Sequence, residues 1–311
     1  MTRPIVVGPW RSEAGFELLY WLPWLRKLFS DHKIAPERVH VITRGGAGPW
    51  YGVPESNVVD LYHMRPMEDL REESARDILQ TGVLKQFRVT PFDRSLLEQA
   101  VRHWGLQHYF HLHPMRMYTA FRDVFALKAS PHEVMKRTAW DPLPVPGPPA
   151  NLPPKYYVAG FYTRATLQGD HRIVKQINTL VRGVAARYPV VLLRNPHHVD
   201  DHMDIPIEGE HIHVPPPVPA AQTLAFHTAL TAHSLGFIGT YGGLAQLALR
   251  LGKPSVSVYE QLEGTSHAHM WISTWLSEEM HVPFVALKLR EIPLVATVLS
   301  QIEAEDKELS S

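Results

Sequence analysis

Between Ser234 and Tyr259 the chain reads as strand, glycine-bearing turn, helix and strand. Leu235 to Thr240 is short and apolar, Gly242-Gly243 follows, and Leu244 to Leu251 has helical spacing. Gly252 and Pro254 then stop the helix, and Ser255 to Tyr259 makes a second strand. Glycines at a strand-to-helix turn let the backbone come close to a ligand, and the unsatisfied N–H groups of the helix start favour a phosphate. The same dipeptide also serves where only a tight turn is needed. The surrounding pattern has to decide between the two.

That pattern divides at Asp141 to Pro154, a segment with prolines at 142, 144, 146, 148, 149, 153 and 154. Such a composition makes neither a helix nor a central strand and favours an extended, semi-stiff path. We read residues 1–140 as an N-terminal α/β domain, 141–154 as the linker and 155–311 as a C-terminal α/β domain. After the linker, strands at Tyr156–Tyr162, Val190–Leu193 and His211–Val214 alternate with helices at Arg172–Tyr188 and Ala220–His233 before the glycine unit. Short apolar strands separated by helices imply a doubly wound parallel sheet, with ligands beyond the carboxyl ends of its strands. The first half starts alike, with a strand at Pro4–Val7, a loop at Gly8–Gly15 and an apolar helix through Phe29 that Pro23 kinks or restarts. A strand at Val39–Thr43 leads into Arg44-Gly45-Gly46-Ala47-Gly48, and Arg94–Trp104 and Met115–Leu127 read as helices. Between residues 50 and 130 the order of elements is otherwise poorly specified.

Charge and composition exclude several functions. Lys plus Arg equals Asp plus Glu at 31 each, so the basic field that non-specific nucleic-acid binding needs is absent. The chain has no Cys, which removes disulfides, thiolate metal sites and a cysteine nucleophile. No run reaches the roughly 18–20 apolar residues of a spanning helix, and the N-terminal apolar run is too short for a signal peptide. The cytoplasm is the expected compartment. The aromatic-rich stretch Phe16–Phe29 suits a packed core helix, with peripheral membrane association as the other reading.

Two segments resemble the GT-B-fold glycosyltransferases, in which two Rossmann-like domains face each other across a cleft. Gly8 to Arg26 is similar to the first strand-to-helix turn of several such enzymes, and Gly236 to Ala245, followed by Leu251 to Val256, is similar to their donor-diphosphate turn and the strand after it. The resemblance implies a glycosyltransferase moving a sugar from a nucleotide diphosphate sugar to a glycan, lipid-linked or small-molecule acceptor. It implies metal independence and no cofactor beyond the donor substrate. Many members carry a glutamate in the helix after the glycine turn, where this chain has Gln246; Glu260, just after the last strand, is the substitute.

Such a reaction needs a stabiliser for the departing diphosphate, namely backbone N–H groups plus cations. Thr240, Tyr241, Gly242 and Gly243 are the expected backbone donors. Arg164 and Arg194 end strands at their carboxyl side, where a guanidinium can fork phosphate oxygens, although each also reads as a surface arginine. Lys253 falls on the opposite rim and reads as structural. His267, after Glu263 to Ser266, is expected near the donor, with His269 beside it. A base must also take the acceptor's proton. Glu13, in the first turn after the first strand, is the leading candidate and otherwise reads as a partner for the helix N-terminus; Glu17, one turn on and flanked by apolar residues, is the second. The His clusters at 197–202 and 108–113 lack a recognised metal spacing, and no metal ligands are assigned.

Three other readings stay open: a nucleotide-sugar epimerase on the same fold, a metal-dependent hydrolase built on the His clusters, and a binding module that never turns over. Donor consumption without acceptor marks the first, and bound transition metal after native purification marks the second.

Overall fold

The computed structural model describes residues 3–81, 86–163, 166–167, 170–197 and 202–289. The chain divides into two compact units, Met1–Pro146 with Val218–His227, and Gly147–Pro217 with Thr228–Ser311.

In the first unit, β1 (Ile5–Val7) is followed by a continuous helical stretch: α1 (Ala14–Phe16), a wider π-helical turn at Glu17–Trp21, and α2 (Leu22–Asp31). Pro23 lies in the first turn of α2, where its missing N–H is harmless, so it restarts the helix after the π turn. Then come β2 (Val39–Thr43), β3 (Val58–Asp60), α3 (Leu61–Met64), α4 (Met67–Thr81) and α5 (Pro91–His103). β4 (Phe110–Leu112), α6 (Met115–Ala120), α7 (Arg122–Phe125) and α8 (His132–Met135) complete the unit. The expected helix Met115–Leu127 is therefore broken at Phe121, whose ψ of 14° leaves the helical well. The four strands are parallel in the order β3-β2-β1-β4. Val6 and Ile42 face Leu61, Leu96, Leu97 and Ala100 on one side of the sheet. Trp10, Phe16, Tyr20, Trp21 and Tyr118 form a buried aromatic cluster, so this stretch packs inside the unit.

The second unit holds β5 (Tyr157–Gly160), β6 (Tyr162–Thr163), α9 (His171–Ala185), β7 (Val190–Leu192), β8 (Met203–Asp204) and β9 (Ile212–His213). After α10 (Thr223–Ala232), whose residues up to His227 belong to the first unit, come β10 (Phe237–Thr240), α11 (Gly243–Arg250), β11 (Ser255–Tyr259), α12 (Thr265–Met280) and β12 (Phe284–Lys288). Its six-stranded sheet is parallel throughout, in the order β12-β11-β10-β5-β7-β9, and β6 and β8 make a separate antiparallel ribbon. Ile173, Ile177, Leu180 and Val184 make one apolar stripe on α9 and pack with strand residues such as Val190, Leu192, Ile238 and Val256. Each such fully buried aliphatic side chain contributes about 1.5–3 kcal/mol. Both sheets are thus of the doubly wound parallel α/β kind expected from the alternation.

Val218–His227 packs with the first unit, whereas the sequence reading includes it in 155–311. The Arg44–Gly48 turn explains why. The Gly45 carbonyl accepts from the N–H groups of Leu224 and Ala225, and a Cβ on Gly46 would lie 2.7 Å from Ala225 Cβ, so only glycine lets this segment approach. Among the described residues, no helix is long and apolar enough to cross a membrane.

Candidate functional site

In the second unit the chain lays down β5, β7 and β9 toward one edge and then returns to place β10, β11 and β12 on the other side of β5. The order reverses between β5 and β10, and ligands of such sheets sit outside the carboxyl ends of the strands at that point. The glycine turn of residues 240–243 lies there, at the end of β10. The two strands approach closely because Gly239 stands opposite Gly160; a Cβ on Gly239 would meet the Gly160 carbonyl oxygen at 2.2 Å. A Cβ on Gly160 would lie 2.8 Å from Leu244 Cδ1, so this glycine lets α11 settle onto the sheet.

Two residues of the turn are tied to neighbouring strands. Thr240 is fully buried, and its hydroxyl both accepts from the Tyr162 N–H and donates to the Tyr162 carbonyl, each at 3.0 Å. The Tyr241 N–H donates to the Val258 carbonyl at 2.9 Å, and its ring packs against Tyr259 and Phe284. Tyr241 therefore spends on β11 the amide that the sequence reading assigned to a phosphate. Gly242 is the N-cap of α11 and brings no side chain to it, and the first intrahelical bond runs from the Gln246 N–H to its carbonyl. Among the described residues, none accepts from the N–H groups of Gly243 and Leu244. The other long helices behind this edge start differently. Asp170 caps α9 by accepting from the Ile173 N–H at 2.8 Å, which places a carboxylate where an anion would go. The start of α12 closes on itself, with the N–H groups of Ser266 and His267 donating to the carbonyls of Glu263 and Gly264. The start of α11 alone of these is left open to an anion.

The remaining expected donor-side residues distribute along the same edge. Arg194 lies two residues beyond β7 with its side chain half exposed, and its Nε is 3.7 Å from Asp204, which also accepts from the Asn195 N–H. Glu260 directly follows β11, the neighbour of β10, and its N–H donates to the Thr166 carbonyl at 2.8 Å. His267 is the third residue of α12 and is exposed. Tyr162, the first residue of β6, stacks on His202 with ring centroids 4.5 Å apart. Gln246 is buried on α11. Lys253 lies in the turn before β11, at the opposite rim. Arg164 falls outside the described residues.

The first unit repeats the topology. Its order β3-β2-β1-β4 reverses between β1 and β4, and the Gly8–Glu13 loop leaves the carboxyl end of β1. Nearly every residue of this loop is held. The Gly8 N–H donates to Leu112 and its carbonyl lies 2.7 Å from His111 Nε2, while the Trp10 N–H donates to Ile42. Gln86 bonds Pro9, Arg11 and Ser12, and Arg44 donates to the Ser12 carbonyl at 2.6 Å. Arg11 pairs with Asp93 at 2.8 Å and Asp77 at 3.0 Å. Burial by itself would raise the Asp93 carboxyl, but the His113 ring and the Arg11 guanidinium outweigh it and hold the group well below the usual carboxylate range.

Glu13 follows directly as the N-cap of α1, partly exposed, and its side chain makes no capping bond. Glu17 is different. It has no solvent exposure, and its Oε1 accepts from the hydroxyls of Thr43 and Tyr51, tying the π turn to the end of β2. Burial, and then the Glu17 charge, push the Tyr51 hydroxyl far above its ordinary pKa. Of the two candidate bases, Glu17 is thus enclosed and Glu13 is partly exposed. The π turn and Thr43 account for the burial that the sequence reading expected to be partial.

The histidines carry structural bonds. His113 Nδ1 accepts from the Met115 N–H at 3.0 Å, and its Nε2 lies within ion-pair distance of Asp93, at 3.3 Å. His111 and His113 do share a face, with ring centroids 5.7 Å apart. Residues 198–201 of the other cluster lie outside the described residues. Among the described residues, no group of three or more His, Asp or Glu is placed to hold a metal ion. The contacts of Gln86 and Asp93 with the Gly8–Glu13 loop were not legible in the sequence; the one signal was Thr90-Pro-Phe-Asp93, a capping box that marks only a helix start.

No family model and no curated protein sequence matches the chain. Among solved structures it is similar to the E. coli heptosyltransferase WaaC with ADP, at 12% identity over 98% of this chain and 99% of that one, with a TM-score of 0.48. It is also similar to the E. coli ADP-heptose LPS heptosyltransferase II, at 13% identity over 85% and 86% of the chains and a TM-score of 0.45. The glycosyltransferase SnogD from Streptomyces nogalater gives 13% identity, 96% and 99% coverage and a TM-score of 0.38.

Proposed function

We propose that this protein is a glycosyltransferase that takes its sugar from a nucleotide diphosphate donor without a metal ion. The observation that carries the reading is the open start of α11, an uncapped helix N-terminus led by Gly242-Gly243 at the point where strand order reverses. Unsatisfied N–H groups and the positive end of the helix dipole suit a diphosphate there and stabilise it as it departs. Arg194, Glu260 and His267 share that edge of the sheet: Arg194 supplies a cation, and Glu260 and His267 suit the ribose and base. Arg164 is proposed as a second cation from its place in the sequence. On the acceptor side, Glu13 takes the hydroxyl proton, and Glu17 fixes the helix that Glu13 begins.

The test is calorimetric titration of the intact protein with UDP, GDP, ADP, dTDP and CMP, each with and without EDTA. Selective binding of one nucleoside diphosphate, insensitive to EDTA, is the expected result. Binding of none, or binding abolished by EDTA, overturns the reading.

A further inference from the structure

The chain buries charge around one short loop, and burying charge is costly unless it is paired and hydrogen-bonded, as Arg11 is with Asp77 and Asp93. The Gln86 side chain, 8% exposed, spans the loop: Nε2 donates to the Pro9 carbonyl at 2.9 Å, and Oε1 accepts from the Arg11 N–H at 2.9 Å and the Ser12 hydroxyl at 3.3 Å. Asp93 holds the same loop through Arg11 Nε at 2.8 Å and is itself locked by the Thr90 N–H and hydroxyl, each at 2.9 Å. On the far side Arg44 grips the Ser12 carbonyl, and beyond Glu13 the first bond of the helix, from the Glu17 N–H to the Glu13 carbonyl, fixes the other flank. A loop needed only to turn the chain is usually satisfied by backbone and water; this one is clamped by Gln86 and by Asp93 of α5, 75 and 82 residues away from Arg11.

We propose that Gln86 and Asp93 are positioning residues that fix the Pro9–Ser12 loop and, through it, the carboxylate of Glu13. This rests on the reading of Glu13 as the base. Gln86 is the cleaner probe, because Asp93 also caps α5.

The experiment is a double-mutant cycle in the full-length protein with Gln86→Leu, Glu13→Gln and the pair. Turnover is followed as nucleoside diphosphate released from UDP-, GDP-, ADP- and dTDP-glucose with water as acceptor. Misplacing a catalytic group by about 1 Å costs up to ~10²-fold, so Gln86→Leu should lower kcat about tenfold or more with donor KM within about twofold. The double variant should be no slower than Glu13→Gln alone. Unchanged kcat in Gln86→Leu, a loss confined to KM, or losses that multiply in the double variant overturn the inference while leaving Glu13 as the base. Parental turnover in Glu13→Gln, or no release from any donor, removes the reading on which it rests. Gln86→Asn, one methylene shorter and still polar, replaces the leucine variant if that one does not fold.

Discussion

Replacing Gly239 with alanine tests the closeness of β5 and β10 on which the glycine turn at residues 240–243 depends. The two strands run side by side with Gly239 opposite Gly160, and a Cβ at 239 would stand 2.2 Å from the Gly160 carbonyl oxygen and 2.4 Å from Phe237 Cζ. Comfortable carbon contacts begin near ~3.5 Å, so the methyl group arrives roughly 1 Å too close. The Phe237 ring is itself buried, and the carbonyl belongs to the backbone, so neither swings aside cheaply. Overpacking of a core costs about 1–3 kcal/mol, and a clash with backbone belongs at the upper end, about 3 kcal/mol. Gly183 provides the control: it lies within α9, nothing surrounds its missing Cβ within 4 Å, and alanine there should stabilise the helix by about 0.5–1 kcal/mol. With a urea slope of about 2 kcal/mol/M, the unfolding midpoint of Gly239→Ala should fall by about 1.5 M and that of Gly183→Ala should rise by about 0.3–0.5 M. The assay is urea unfolding followed by tryptophan fluorescence. A Gly239→Ala midpoint equal to the parent's would refute the packing argument.

Gly242→Asp puts a carboxylate at the N-cap of α11. Its charge repels a diphosphate by about 2–4 kcal/mol, so calorimetry should show nucleotide affinity down by at least about 30-fold; unaltered affinity contradicts the site. Asp93→Asn leaves the buried Arg11 guanidinium with Asp77 as its one carboxylate partner and should cost about 1.5–3 kcal/mol at pH 7. Because the folded Asp93 pKa lies below the unfolded value, its stabilisation is complete above about pH 4 and declines as pH falls below that, so the gap between parent and variant should narrow from pH 7 to pH 3. A constant gap in denaturant midpoints over that range speaks against the pairing. Tyr51→Phe removes a donor from the buried Glu17 carboxylate and should cost about 1–3 kcal/mol in the same unfolding assay; no loss means that bond contributes nothing.

Local signals carried much of this fold. β2 and β11 coincide with the expected Val39–Thr43 and Ser255–Tyr259 because each is a short apolar run bounded by turn residues. α9 was legible from its apolar stripe, and the glycine turn from its place between strand and helix. What stayed hidden depends on tertiary context. On α12 the buried Ala268, Ile272 and Leu276 recur every four residues, but half-buried Trp271 and Trp275 widen the stripe and blur the pattern. The π turn at Glu17–Trp21 has no sequence marker, yet it decides that Glu17 is enclosed. The bond from the Tyr241 N–H to Val258, which takes that amide out of the glycine turn, requires the neighbouring strand. The Arg11–Gln86–Asp93 clamp joins positions 75 and 82 residues apart, beyond the reach of any local pattern.

The most direct test of the account is an amide-resolved NMR titration with the nucleoside diphosphate that binds best. Ligand held at the start of α11 should produce the largest shifts at the N–H groups of Gly242, Gly243 and Leu244, with Tyr241 little affected because its amide is already bonded to Val258. Shifts centred on the start of α9 or α12, or no shift at Gly243 at saturation, would contradict the central claim.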